Sequence, residues 1–230
     1  MDPFIQRLCA WSGPVFLVLF VVGFWFVGGL VPPPPPTDSA ERIATFYQEN
    51  QGRLRVGMLI SMISVAFFAP FISLLTLQTK RANPRLAPLA YTQFVCGMAL
   101  LIIILLPLLL IGLAAFRPER APTSTQLLND AAFFILFWVF SLPTLEFVTL
   151  GLMALLDRTE NPLFPRWVGW FDFLVAAVFV TGGPVIFVKR GPFAWDGLLA
   201  FWAVLVAFGA WVVILFWYML RGTSRAELTG

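Results

Sequence analysis

Apolar residues fill six stretches of the chain, at about 9–31, 54–78, 88–116, 131–156, 167–188 and 197–220, and most polar residues fall between them. About 20 apolar residues in helical form, at roughly 1.5 Å of rise each, cross a hydrocarbon core about 30 Å thick. The pattern predicts an all-α fold: a polytopic membrane bundle of six transmembrane helices forming one transmembrane domain over residues 1–230. One further element breaks the alternation of span and loop. After the first span comes "VPPPPPTDSAERIATFYQENQGR", Val31 to Arg53. Prolines carry no backbone donor and a fixed φ, so the run predicts a stiff polyproline II spacer that holds the next piece away from the first helix. That next piece predicts a short amphipathic interfacial helix over about 38–51. Asp38 is placed to cap it with Glu41 three residues on, Ile43, Phe46 and Tyr47 form its apolar face, and Gly52 is placed to end it.

Composition agrees with the pattern. The chain is 60% hydrophobic and 12% charged, with a mean hydropathy of +0.87, outside the usual range of soluble domains. Its net charge is +3, with the cations scattered through short loops rather than gathered in a stripe, so no nucleic acid partner is expected. There is no histidine, which removes the commonest general base, metal ligand and nucleophile activator. Cys9 and Cys96 form no CxxC motif and no disulfide framework. No cofactor, no metal site and no catalytic residue is expected, and the balance leans away from an enzyme. The run from Cys9 to Val31 is longer than a signal-peptide core and is followed by prolines rather than a small-residue cleavage site, so it reads as a retained helix.

An even number of spans puts both termini on one side. With the N-terminus inside, the cytoplasmic pieces hold Arg7, Lys80, Arg81, Arg85, Arg158, Arg166, Arg221 and Arg225, against seven of the 15 Lys and Arg outside. The dense "KRANPR" loop tips the orientation to N-in and C-in, since short positive loops carry that signal. Trp11, Trp25, Trp167, Trp195 and Trp217 lie near span ends, where amphipathic rings favour the headgroup level. Pro14, Pro70, Pro107, Pro143 and Pro184 fall within spans and predict local kinks. The loop "KRGPFAWDG", Lys189 to Gly197, reads as a headgroup contact or as a gate for an amphiphilic ligand. The fragments "FVGG" at Phe26 and "FVTGG" at Phe179 are too short to support inverted repeats.

Against this apolar background Glu146, in "FSLPTLEFVTL", is out of place. It lies about ten residues into the fourth span, roughly 15 Å deep. An ionised carboxylate there costs on the order of 3 kcal/mol on insertion scales, so the side chain should face the bundle and be protonated or paired. Pro143, Thr144 and Thr149 make this part of the span locally polar. Asp172 lies about five residues into the fifth span, roughly 8 Å deep. The two acids could share a site and exchange protons near neutral pH, or Asp172 could pair with Arg166 or cap its helix. Gln93 with Thr92, Ser61 with Ser64, and Ser73 with Thr76 are weaker signals that more often join helices, with Gly97, Gly169 and Gly209 allowing close approach. The candidate ligand or proton-site residues are Glu146, Asp172, Gln93 and Thr149.

The passages "DSAERIATFYQENQGRLRVGMLI", "QLLNDAAFF", "NPLFPRWVGW" and "GPFAWDGLLAFW" resemble a group of bacterial integral membrane proteins described only as hypothetical or of unknown function. The resemblance spans most of the chain and implies a bacterial inner-membrane protein. It brings no catalytic residue with it.

Two classes of function follow. The first is a non-enzymatic binding or accessory protein that holds membrane lipid, an apolar small molecule or a membrane protein partner, suggested by aromatic richness, kinked helices and the surface helix. The second is a proton-linked transporter or channel in which Glu146 and Asp172 relay protons through a water-connected cavity. A carboxylate-pair enzyme ranks third, because two acids at different depths without histidine make a poor site.

Overall fold

The computed structural model describes residues 2–160 and 162–228, with side chains as far as Thr223 in the last helix. Asn161 of the "NPLFPRWVGW" passage and the Arg225 side chain lie outside the described residues. The elements are α1 (Pro3–Phe20), continued by a π-helical stretch over Val21–Val27, α2 (Ala40–Glu49), α3 (Gln51–Ala82), α4 (Ala87–Phe116), α5 (Pro122–Trp138), α6 (Ser141–Leu156), α7 (Arg166–Val180) and α8 (Val204–Leu228), the last preceded by a π-helical stretch over Leu198–Ala203. No strand occurs among the described residues. Among the described residues six helical stretches are long and apolar enough to cross a membrane: Pro3–Val27, Gln51–Ala82, Pro84–Phe116, Pro122–Leu156, Arg166–Ile186 and Leu198–Thr223. The chain is thus a multi-pass helical membrane protein. In the bundle α3 packs along both α1 and α4, α6 packs on α7 and α4, and α8 closes against α1.

Helices outrun the apolar windows that predict them. The first begins at Pro3 rather than Cys9, because Asp2 Oδ1 accepts from the Phe4 backbone N–H at 2.8 Å and Pro3 suits the first helical position. The fourth span begins at Pro122 rather than 131, and its polar first turns stay helical because Thr125 and Asn129 are buried against the rest of the protein. That span is also not one kinked helix. It breaks at Val139 (φ −80°, ψ 65°), and Pro143 sits in the first turn of α6, where a missing donor costs little.

The interfacial helix is present, with different caps. Ser39, not Asp38, is the N-cap, its hydroxyl accepting from Arg42 N–H at 3.3 Å, and Asp38 instead pairs with the Arg42 guanidinium at 3.5 Å. Asn50 ends α2, while Gly52 lies inside the first turn of α3. α2 packs on α5: Ile43 and Tyr47 are buried, and the Tyr47 hydroxyl donates to Asn129 Oδ1 at 3.2 Å. The prolines do not hold α2 at a distance. Pro33 and Pro34 are buried, and the Pro34 carbonyl accepts from Trp195 Nε1 at 2.9 Å. Trp195, expected at the headgroups, is therefore an internal clasp stacked on Phe133.

Close backbone contact fixes α1 against α3. A Cβ on Gly57 would stand 2.5 Å from the Gly23 carbonyl and 2.6 Å from Gly28 Cα, so these positions accept no side chain without moving backbone. Gly151 and Gly169 join α6 to α7 in the same way, since a Cβ on either would stand 2.9 Å from the other's carbonyl oxygen. Gly209, expected to permit close approach, faces open space. Two arginines close helix ends: Arg53 donates to the Val27 and Phe26 carbonyls at 3.2 and 3.4 Å, and Arg55 to those of Ala115 and Phe116 at 3.1 and 2.9 Å. These carbonyls have no partner within their own helices, and cations suit that end of the dipole.

Gly57→Leu is expected to destabilise the protein by at least about 2 kcal/mol, from overpacking against backbone, while Gly209→Leu leaves the unfolding midpoint in detergent nearly unchanged. Comparable midpoints for the two variants would contradict the crossing described. A second expectation concerns α2. Burial, with the nearby Asp130 charge, pushes the Tyr47 hydroxyl above its ordinary range. A raised folded pKa means that its stabilisation is complete below the unfolded value, about 10, and is lost as pH rises beyond it. Stability between about pH 9 and 11 should fall more in the wild type than in Tyr47→Phe; parallel curves would remove Tyr47 as the cause.

Candidate functional site

The buried acids fall into two separate hydrogen-bonded groups. In the first, Gln93 on α4 donates from Nε2 to Glu146 Oε1 on α6 at 3.2 Å. The Thr76 hydroxyl on α3 lies 2.8 Å from Gln93 Oε1 and 2.9 Å from the Ile72 carbonyl, so its single proton serves one of them at a time. Three helices are tied through this line. Glu146 is wholly buried, and its Oε2 has no hydrogen-bond partner among the described residues. Gly97 makes the space for the carboxyl, since a Cβ there would lie 2.9 Å from Glu146 Oε1.

In the second group Asp172 Oδ1 on α7 accepts from Trp211 Nε1 on α8 at 3.0 Å, and both side chains are buried. Neither Arg166 nor a helix start engages this carboxyl, because the helix turns it toward α8. Trp211 was not singled out from the sequence, although a tryptophan in the middle of an apolar span is itself a signal: its indole N–H needs an acceptor there. Thr149, a candidate by sequence, donates to the Glu146 carbonyl at 2.8 Å and so serves its own helix. Ser61, Ser64 and Ser73 likewise bond to carbonyls three or four residues back. Of the hydroxyls paired in sequence, Thr76 reaches across helices.

The two groups meet through aromatic rings. Phe147, next to Glu146, packs edge-on against Trp211 with centroids 5.2 Å apart, and Trp211 stacks on Phe208 at 5.8 Å. Beyond Phe208 lies a cavity of about 120 Å³. It is bounded by α1 with its π-helical continuation, α4, both sides of the break between α5 and α6, α7 and α8. Every lining residue is apolar, among them Phe24, Ile104, Val139, Pro143, Phe179 and Phe208. Neither Glu146 nor Asp172 is among them. Roughly 10–15 Å³ admits one water, but an apolar cavity stays dry and takes apolar guests. This cavity was not visible in the sequence, since it depends on where the fourth span breaks and on two π-helical stretches, which often mark functional positions.

Comparison with curated proteins and with solved structures finds no match. A family model described as a domain of unknown function, DUF4386, matches residues 11–222, and the chain belongs to that family.

The geometry predicts which property of each acid stabilises the bundle. Glu146→Gln and Asp172→Asn keep an acceptor for Gln93 and Trp211, so unfolding midpoints should stay within about 2 °C of wild type. Glu146→Met and Asp172→Leu leave a buried donor unpaired and should cost about 1–3 kcal/mol. Equal losses in the amide and apolar variants would show that charge, rather than hydrogen bonding, holds these sites.

Proposed function

We propose that this member of the DUF4386 family is a non-enzymatic binding or accessory protein that holds an apolar chain, belonging to a membrane lipid or an apolar small molecule, in the cavity beside the α5–α6 break. The observation that carries this reading is the cavity itself. It lies between the spans, is lined only by apolar side chains and is large enough for several carbons. A helix interrupted halfway along a span forfeits regular backbone pairing, and membrane proteins tolerate that where the irregular backbone is enclosed by protein or lines a cavity. On the same footing we place the protein in the bacterial plasma membrane with both termini in the cytoplasm, from the "KRANPR" loop and the resemblance to bacterial membrane proteins.

The alternative, proton-linked transport through Glu146 and Asp172, draws its support from two buried acids and from the unpartnered Glu146 Oε2. It receives less than the binding reading, because each acid is bonded to a different helix and neither lines the cavity.

Native mass spectrometry of gently extracted protein tests the binding reading. Wild type should carry a defined extra mass. Val204→Phe, which fills the cavity, should reduce its occupancy at least about fivefold, and Val206→Phe on the 68% exposed face should not. Bare wild-type spectra, or equal occupancy in the two variants, would overturn the reading.

A further inference from the structure

The apolar cavity has a polar neighbour. A groove of about 460 Å³ lies at the α2 end of the bundle, walled by Pro32 to Pro35 on one side and by Asp38, Arg42, Ile43 and Phe46 on another, with Asp196 and Trp202 completing it. Their walls are neighbours in the chain at two points. Val31 lines the cavity while Pro32 lines the groove, and Phe201 lines the cavity while Trp202 lines the groove. An amphiphile with its tail among the phenylalanines and its head beside Trp202 would use both spaces.

The groove has a sign. Its charged residues are two carboxylates and one guanidinium, and Arg42 is engaged by Asp38 at 3.5 Å. Asp196 has no ion pair or hydrogen bond among the described residues. The groove's lining thus keeps one uncompensated negative charge, in the company of Trp202 and Phe46. A carboxylate next to aromatic rings attracts an ammonium, which gains from both the charge and the ring quadrupole, and disfavours an anionic head.

Resting on the proposed binding reading, we infer that the ligand is a single-chain amphiphile with an ammonium head, its tail in the apolar cavity and its head in the groove between the proline run, α2 and Trp202. The ammonium belongs either to a free alkylamine or to a zwitterionic lipid head, two sources with one shared chemistry.

Equilibrium dialysis of the full chain in neutral maltoside micelles, against empty micelles, with decyltrimethylammonium, decylphosphocholine and decanoate tests this. Both ammonium-bearing probes should bind at least about threefold tighter than decanoate, a size suited to one partly exposed charge. A lead for decyltrimethylammonium assigns the site to a free amine, and a lead for decylphosphocholine assigns it to a lipid head. Asp196→Asn should bring the ratio close to one, and Arg42→Gln should raise it. Opposite shifts of this kind do not follow from a merely structural role. Should a variant fail to fold, the wild-type ratio should still fall as salt is raised to about 0.5 M. Decanoate binding as tightly as the ammonium probes would overturn the head assignment and leave the cavity reading standing. Uptake no greater than in empty micelles would overturn both.

Discussion

Hydrocarbon offers no hydrogen-bond partner, so every polar group carried into the bilayer must be satisfied by the chain itself. Much of this structure answers that one constraint. The last carbonyls of the first and third spans are met by Arg53 and Arg55, which reach back from the start of the intervening helix. Buried serines and threonines turn onto carbonyls of their own helices. Where side chains are longer, the same demand draws helices together: Gln78 on α3 donates to the Met219 carbonyl on α8 at 3.2 Å and lies 3.3 Å from Gln6 Oε1 on α1. Polar groups here act as ties because water is absent, and a modest hydrogen bond becomes costly to lose.

The acids belong to the same logic. Gln93 and Trp211 bring single donors to Glu146 and Asp172 from neighbouring helices, and the aromatic side chains between them transmit the positions so fixed. Phe208 stacks on Trp211 and also lines the cavity. The carboxyls thus connect to the wall of the apolar space through Trp211 and Phe208 without entering it. A dry cavity is stable only if its lining cannot collapse inward, and a wall anchored by buried hydrogen bonds resists that collapse better than freely sliding apolar contacts.

How much of this was legible in the sequence depends on the range of the interaction. Apolar runs near 20 residues reveal six spans because crossing a bilayer is a property of one helix at a time. The ends were less legible, since Gln6, Thr125 and Asn129 lower the local hydropathy yet are buried by partners elsewhere in the chain. Pro143 read as a kink and proved to be the first turn of a new helix, a difference set by the backbone at Val139. Glu146 was conspicuous, because a mid-span acid is expensive wherever it points. Its donor was only one of several candidates, and the Trp195 clasp to Pro34 joins residues 161 positions apart, a relation that no local pattern encodes.

The cavity and the surface helix meet the same requirement from two sides. A bundle of straight, continuous helices with close glycine crossings would fill its own centre, as α1 and α3 do around Gly23 and Gly57. Space remains where the fourth span breaks and where the first and last spans widen into π-helical turns, so backbone geometry leaves the room that the anchored side chains then wall. The proline run then closes the same end of the bundle, because Pro33 and Pro34 are drawn onto it and Trp195 pins them there. Val31 and Pro32 are consecutive residues in cavity and groove, so the stiff proline run begins where the apolar lining ends and walls the groove. Proline suits that position physically: the run has no N–H to satisfy where Pro33 and Pro34 are buried on the bundle, and its rings are apolar enough to pack there.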